Sequence, residues 1–206
     1  MRIAIYSDYV CPFCFLEIPA LERLAREEKV ELDYRAFELR PEPVPTLEPA
    51  GEYLTTTWQR SVYPMAERLG VPIKLPPVQP RSRLAFEGAE FARENGKLAG
   101  YTRAVHEAFF QRGEDIGRED VLADVADAVG LNADDFRAAL RDHRYLQRVL
   151  EQEQEAQAIG IHSVPSVVIG NYLVPGAVPF ETLKQVVQRV RDEQAAEPAD
   201  PEVPAP

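Results

Sequence analysis

Two cysteines separated by two residues stand near the start of the chain, in the segment YSDYVCPFCFLEIP. Cys11 and Cys14 are the only cysteines in a sequence of 206 residues. A CxxC pair of this kind can bind a metal, form a structural disulfide or exchange disulfides with other molecules. The choice among these depends on the other candidate ligands and on the element that begins at Cys11.

The sequence offers too few ligands for a metal site that includes the CxxC pair. Structural zinc is usually bound by four ligands, of which one CxxC supplies two, and iron–sulfur clusters normally take more thiolates than this chain contains. The histidines His106, His143 and His162 are far apart and have no ligand-like spacing. No glycine-rich phosphate loop or dinucleotide motif is present. We therefore expect no metal and no bound cofactor.

The position of the pair favours redox chemistry. Residues 2–7 have the composition of a strand, and residues 12–28 have the periodicity of a helix. Free N–H groups and the helix dipole at that N-terminus stabilise an anion, so the pKa of the first thiol can fall from roughly 8.5 to about 3.5–7.5. Cys11 is expected to be the more exposed and more acidic thiol. Cys14, one turn into the helix, is expected to be buried and able to close a disulfide.

The remaining elements predict an α/β fold. A second strand over residues 30–39 would complete a parallel β-α-β unit. The Pro-rich residues 41–49 predict a loop, and residues 52–159 have a helical pattern throughout. Two short strands joined at residues 170–171 predict a hairpin, and an amphipathic helix follows over residues 179–193. The result is a small mixed sheet with helices on both faces, interrupted by a helical block.

The charge of the chain limits its partners. The formal net charge of −11 disfavours nucleic acid and anionic membranes, because both require a basic protein surface. No apolar run has the length of a membrane span, and the first strand leads into the CxxC without a signal-peptide pattern. We therefore expect a cytoplasmic protein, in which a CxxC is more often redox-active or metal-binding than a permanent disulfide.

Several short motifs, in order, resemble the thioredoxin superfamily and within it the FrnE-like DsbA oxidoreductases. These motifs are SD before CPFC, SRLA at 82–85, DIG at 115–117, VPSVV at 164–168 and GAVP at 176–179. The resemblance covers residues 2–194 and implies a thioredoxin-like fold with an inserted all-helical domain. It places the thioredoxin-like domain in residues 1–50 and 161–194, the insertion in residues 51–160 and a disordered tail in residues 195–206.

The resemblance also implies roles for individual residues. Cys11 would be the nucleophile and Cys14 the resolving thiol. A cis-proline, Pro165, would pack beside the disulfide, and Val164 would offer backbone hydrogen bonds to a substrate chain. The residues expected to contact substrate are Pro12, Phe13, Val164 and Pro165.

One position departs from the family pattern. Thioredoxins and DsbA proteins place a buried acid in the first strand, six residues before the nucleophile, where this chain has Ile5. The nearest acid, Asp8, is expected in a loop or at the strand end, so the resemblance assigns no proton relay to Cys14. We expect His162 to be a solvated loop residue, the alternative being an approach to the disulfide. His106 and His143 are expected to be partly exposed residues of helices.

Three functions fit these observations. The two cysteines favour exchange with protein or small-molecule thiols and disulfides, with glutathione as a candidate co-substrate and a homodimer as a possible assembly. The 2-hydroxychromene-2-carboxylate isomerases and kappa-class glutathione transferases share this fold and insertion, but typically carry serine in place of Cys11. A non-catalytic thioredoxin-like binding module would carry an exposed reactive thiol pair without a task.

Overall fold

A mixed sheet begins with the predicted parallel pair. The computed structural model describes residues 1–196. Strands β1 (Arg2–Ser7) and β2 (Glu31–Ala36) pair in parallel and are joined by helix α1 (Pro12–Glu28). Strand β2 is shorter than the predicted 30–39, because β1 ends at Ser7 and leaves no partner for a longer β2.

The second part of the sheet is a hairpin. Strands β3 (Ser166–Ile169) and β4 (Tyr172–Pro175) are antiparallel, and Gly170 between them has the positive φ of 58° that a tight turn favours. Strand β3 also pairs antiparallel with β1, so the strand order in the described residues is β2-β1-β3-β4. The predicted hairpin is therefore confirmed.

The last described element extends past its predicted end. Helix α9 (Phe180–Ala196) includes the first two residues of the tail that was expected to be disordered. The rest of that prediction, residues 197–206, lies outside the described part of the chain. None of the helices within residues 1–196 is long and apolar enough to cross a membrane.

A helical block is inserted between β2 and β3, as predicted. Asn132 caps one of its helices by accepting hydrogen bonds from the backbone N–H groups of Asp134 at 3.0 Å and Asp135 at 2.9 Å. Two single π-helical turns interrupt the block, at Trp58–Val62 and Ala108–Arg112. The helices are α2 (Glu52–Thr57), α3 (Tyr63–Leu69), α4 (Arg83–Glu94), α5 (Leu98–Glu107), α6 (Glu119–Ala128), α7 (Ala133–Arg141) and α8 (Leu146–Ala158).

Helix α1 lies between two apolar cores. Its residues Phe15, Leu16 and Ile18 are buried with the side chains of the helical block. One turn further on, Leu21 and Leu24 are buried against the sheet and α9. Each fully buried side chain of this size stabilises the fold by about 1.5–3 kcal/mol relative to an exposed one. The element that begins at the CPFC segment is thus held firmly on both sides.

Candidate active site

The CPFC segment lies where β1 ends and α1 begins. Cys11 is the N-cap of α1, with an extended backbone, and Pro12 occupies the first helical turn. The N–H of Cys11 donates to the carbonyl of Asp8 at 3.0 Å, which closes the turn between strand and helix. Cys11 and Cys14 approach each other to 3.3 Å, and both are free thiols. The pair is therefore placed to form a disulfide.

The exposure of the two thiols differs from the sequence expectation. Cys11 and Cys14 are equally buried, each with 3% of its surface exposed. What distinguishes Cys11 is its position, because it lines a cavity and Cys14 does not.

The structure brings the distant Val164 and Pro165 to the cysteines. The thiol of Cys11 lies 3.6 Å from the carbonyl oxygen of Val164, to which it donates. The Val164–Pro165 peptide bond is cis. The carbonyl of Pro165 accepts from the N–H of Gly176 at 2.8 Å, which fixes the segment before β3.

A cavity of about 220 Å³ opens beside Cys11. Three of the four residues expected to contact substrate, Pro12, Phe13 and Val164, form part of its wall, whereas Pro165 is buried and does not line it. Its other apolar walls come from the loop after β2 and from the helical block. Those apolar residues are Leu39, Leu47, Tyr53, Leu54, Trp58 and Phe110, and the cationic ones are Arg40 and Arg81.

The two π-helical turns form part of the cavity wall. Trp58 belongs to the first turn and Phe110 to the second, and their ring centroids are 6.0 Å apart. Single π-helical turns are rare and occur frequently at functional sites. Sequence periodicity does not reveal them, because each adds only one residue to a helix.

Cys14 has a chemical environment opposed to ionisation. Burial, together with its contact with Cys11, holds the pKa of the Cys14 thiol well above its usual range. The backbone N–H of Asp8 and the hydroxyl of Ser7 act in the opposite direction and lower the pKa of this thiol. Both come from the carboxyl end of β1.

Asp8 directly follows β1, as predicted, but it is completely buried. Its carboxylate accepts the N–H groups of Leu39 at 2.7 Å and Val10 at 3.2 Å, and the hydroxyl of Ser82 contacts it as well. Burial outweighs these donors and raises the pKa of Asp8 to about 6. The carboxylate therefore contacts three segments that line the cavity beside Cys11, those of Val10, Leu39 and Ser82.

Glu17 is a second buried acid, which the sequence analysis did not identify. It lies one turn after Cys14 and is 1% exposed. Its Oε1 accepts the N–H of Val178 at 3.3 Å, whereas its Oε2 has no hydrogen-bond partner among the described residues. Burial raises the pKa of Glu17 to about 8. A signal was present, since Glu17 shares a helical face with Leu21 and Leu24.

The prediction of a partly exposed His106 is wrong. Its ring is fully buried and stacks on Phe15 and Phe110, with centroids 5.9 and 6.2 Å away. Its Nδ1 lies 2.9 Å from the carbonyl of Thr102, and burial lowers the pKa of the imidazole to about 4. Helix α5 turns this face toward α1, so the histidine becomes part of the core.

The other two histidines lie at the surface. His143 is in the turn before α8 rather than in the predicted helix over 143–159, because its positive φ of 47° interrupts helical geometry. Its ring remains partly exposed, as expected, and contacts Glu87 at 3.0 Å. His162 is exposed in the loop before β3. Within residues 1–196, no group of three or more histidine, cysteine, aspartate or glutamate side chains is arranged to hold a metal ion.

Comparison with known proteins places the sequence in a family. Residues 2–188 match the family described as DSBA-like thioredoxin domain. The protein YwbO of Bacillus subtilis (strain 168) is 40% identical over 202 residues, which covers 94% of this chain and 98% of YwbO.

Solved structures share the fold at lower sequence identity. A probable DsbA oxidoreductase from Streptomyces coelicolor is 24% identical with a TM-score of 0.77, and all of both chains is covered. A 2-hydroxychromene-2-carboxylate isomerase is 20% identical with a TM-score of 0.79, covering 95% of this chain and 98% of its own. The cytosolic disulfide reductase DsbM from Pseudomonas aeruginosa, solved with GSH, is 14% identical with a TM-score of 0.71, covering 95% and 100%.

Proposed function

Because the chain belongs to the family of DsbA-like thioredoxin domains, we propose that it is a thiol–disulfide oxidoreductase that acts through Cys11 and Cys14. One observation carries the proposal. Two free thiols stand 3.3 Å apart at the start of a helix, and the first of them faces both a cavity and the carbonyl of Val164. A cysteine pair that binds a metal or forms a structural disulfide does not need a cavity beside it, whereas a cysteine that reacts with a substrate does.

The two cysteines have different roles in this exchange, because their surroundings differ. Cys11 is the nucleophile, because it lines the cavity at the N-terminus of α1, whereas Cys14 lies one turn further into the helix and does not line it. Its thiolate attacks a substrate disulfide and forms a mixed disulfide. Cys14 then displaces the substrate thiol and closes the Cys11–Cys14 disulfide. The same groups run the exchange in reverse when a substrate thiolate attacks that disulfide.

Substrate is held on the cavity side of Cys11. Pro12, Phe13 and Val164 supply apolar contacts, and Pro165 fixes the backbone of Val164 so that it can pair with an extended peptide. Arg40 and Arg81 in the cavity wall suit a substrate that carries a carboxylate. We therefore propose protein or small-molecule thiols as substrates, with glutathione as a co-substrate.

We further propose that the protein belongs to the FrnE-like subgroup and acts in the cytoplasm. The motifs SD, CPFC, VPSVV and GAVP support the subgroup. A cytosolic protein of the same fold, DsbM, is a disulfide reductase, which makes this location compatible with such chemistry.

Cysteine variants test the proposal. Reduction of insulin by a dithiol should be catalysed by the protein, and Cys11→Ser should abolish catalysis because the mixed disulfide can no longer form. Cys14→Ser should instead accumulate mixed disulfides, detected as a mass increase on Cys11. Absence of insulin reduction by the unaltered protein, or full activity of Cys11→Ser, would refute the assignment.

The alternative is a glutathione-dependent isomerase or transferase. It is favoured by the TM-score of 0.79 to an isomerase over nearly the whole chain. Such an enzyme does not need a resolving thiol, so Cys14→Ser would leave it active. Isomerisation of 2-hydroxychromene-2-carboxylate by the Cys11→Ser variant, without disulfide exchange by the unaltered protein, would favour the alternative.

A further inference from the structure

We propose that Glu17 is a positioning residue of the disulfide exchange, whose carboxyl group holds the GAVP segment (176–179) and, through it, the backbone of Val164 beside Cys11. The inference rests on the proposed function, because it gives a buried side chain the task of keeping the backbone that pairs with substrate next to the nucleophile. It adds a residue of α1 to a site otherwise built from CPFC and the segment before β3.

Glu17 is an exception on the apolar face of α1. Cys14, Glu17, Leu21 and Leu24 follow one another at intervals of three or four residues, so their side chains lie on one face of the helix. The carboxyl group on this face is 1% exposed, and its Oε2 has no hydrogen-bond partner among the described residues. Burying a polar atom without a partner costs free energy. We therefore expect the acid to have a task that an apolar side chain could not perform.

The carboxyl group of Glu17 binds a distant part of the chain. Its Oε1 accepts the backbone N–H of Val178 at 3.3 Å, across 161 positions of sequence. Val178 belongs to the GAVP segment between β4 and α9, and its side chain packs against the same core as Leu21. Burial raises the pKa of Glu17 to about 8, so the acid is neutral at pH 7. A neutral acid can lie on an apolar face and still present an oxygen to the segment.

The GAVP segment is in turn bound to the segment before β3. The N–H of Gly176 donates to the carbonyl of Pro165 at 2.8 Å. Gly176 has a positive φ of 79°, which glycine adopts readily, so the chain turns sharply as it leaves β4. Hydrogen bonds at Gly176 and at Val178 therefore hold GAVP between Pro165 and α1.

The last contact is the one to the reactive thiol. The residue before Pro165 is Val164, whose carbonyl oxygen accepts the Cys11 thiol at 3.6 Å. Cys11 is the N-cap of α1, the helix that also carries Glu17. The contacts thus form a closed ring, which runs along α1, crosses to GAVP at Glu17 and returns through the segment before β3.

This ring couples the carboxyl group to the geometry of substrate binding. The backbone of Val164 is the proposed partner of an extended substrate chain. Without an acceptor at Glu17, the N–H of Val178 would lose its partner, and GAVP would shift toward a new one. That shift would misplace the paired substrate relative to the Cys11 sulfur. A misplacement of about 1 Å at a reacting group can slow a reaction by roughly 100-fold.

Rates of exchange with two kinds of disulfide test the role. Glu17→Leu removes the acceptor at similar volume and should slow exchange with a disulfide-bonded peptide by roughly 10-fold. A small aromatic disulfide has no backbone to pair with Val164, so its rate should change little. Glu17→Gln keeps a neutral group with an oxygen acceptor and should restore the peptide rate. Glu17→Asp withdraws the carboxyl group by one methylene and should give an intermediate rate.

Glu22→Leu is the matched control. Glu22 is another glutamate of α1, but it accepts from the guanidinium of Arg103 on α5 at 2.7 Å, so it binds the helical block. Its replacement removes a carboxylate from the same helix and should leave the peptide rate unchanged. An equal loss of peptide rate in Glu22→Leu and Glu17→Leu would overturn the proposal, since any change on α1 would then suffice.

Amide hydrogen exchange tests the ring without any activity. In Glu17→Leu the amides of Val178 and Gly176 should exchange roughly 10-fold faster, because the first loses its acceptor and the second lies in the segment that this bond holds. The amides of β3 report unfolding of the sheet as a whole and show whether the variant is destabilised in general. Glu17→Gln should exchange like the unaltered protein. If Glu17→Leu does not fold, Glu17→Asp provides the same comparison.

The outcomes separate the two proposals. Unchanged exchange of the Gly176 amide in the variant without the acceptor would overturn the positioning role, as would equal slowing with the peptide and with the small disulfide. Failure of Glu17→Gln to restore the peptide rate would also overturn it, because the oxygen acceptor would then not be the cause. Absence of disulfide exchange by the unaltered protein would instead refute the oxidoreductase, whatever the amide rates show.

Discussion

The two cysteines of the CPFC segment face different regions of the molecule. The cavity side, next to Cys11, is a space of about 220 Å³ with mainly apolar walls from the loop after β2 and from the helical block. On the other, buried side, the polar side chains around the start of α1 are Ser7, Asp8, Glu17 and His106, of which Asp8 also borders the cavity. Both thiols are equally buried, so exposure does not distinguish them, but their surroundings do.

This difference divides the proposed chemistry. The cavity side has room for a substrate and mainly apolar walls, which suits recognition. The buried side has groups whose pKa values are displaced by burial, which suits control of protons and charge. A variant on one side should therefore change substrate affinity, and a variant on the other should change stability or pH dependence.

The largest expected effect is on the buried side, at His106. Replacing this fully buried ring with alanine should lower the free energy of unfolding by about 3–5 kcal/mol, as for other large side chains in cores, because it leaves a hole beside Phe15 and Phe110. His106→Phe should cost less than the alanine variant, since it keeps an aromatic ring against Phe15 and Phe110. Urea denaturation measures both. If His106→Ala lowered the free energy of unfolding no more than His106→Phe does, the result would contradict the packing role of the His106 ring.

A smaller effect of the buried side is expected at Glu17. Its pKa of about 8 in the folded chain lies above the usual value of 4.5. Between these values the folded chain keeps a proton that the unfolded chain has lost, so stability falls as pH rises, by up to about 1.4 kcal/mol per pH unit. Urea midpoints should therefore decrease from pH 7 to pH 8 in the unaltered protein, and Glu17→Gln should remove most of that decrease.

The chosen pH window separates Glu17 from its neighbours. His106, with its pKa lowered to about 4, favours the folded chain as pH rises, but only up to its ordinary value of 6.5. Asp8 acts in the same direction as Glu17, but only up to about 6, and Glu153 up to about 7. Equal slopes for the unaltered protein and Glu17→Gln above pH 7 would show that Glu17 is not the group responsible.

The smallest expected effect on stability belongs to the cavity side. Tyr53 lines the cavity and is 66% exposed, so Tyr53→Ala should change stability by no more than about 0.5 kcal/mol. It should raise KM for disulfides with an aromatic group by roughly two- to tenfold, because an aromatic contact is lost. Leu173→Ala, an exposed apolar position on β4, is the control. If KM rose equally in Tyr53→Ala and Leu173→Ala, the result would contradict a role of the cavity in substrate binding.

Local signals in the sequence predicted the framework of the site. The CPFC segment between a strand and a helix and the hairpin at residues 170–171 each depend on a few neighbouring residues. Val164 and Pro165 were placed beside Cys11 by resemblance, since no local pattern connects positions about 150 residues apart.

The buried side could not be predicted in the same way. Whether His106 is exposed depends on the face that α5 turns toward α1, which is decided by packing among several helices. Glu17 left a signal, an acid within an apolar stripe, but an isolated helix would present the same residue to solvent. The cavity also depends on long-range packing, because its walls come from segments that meet only in the folded chain.

The π-helical turns at residues 58–62 and 108–112 make the cavity adjustable through chain length. Each turn holds one residue more than an α-helical turn, and each presents an aromatic ring to the cavity. Deleting one residue there would restore the α-helical repeat and remove the extra residue, while the adjoining helical residues keep the faces they present. A single codon gained or lost could thus exchange the ring beside the thiol while the sheet and the CPFC segment stay unchanged.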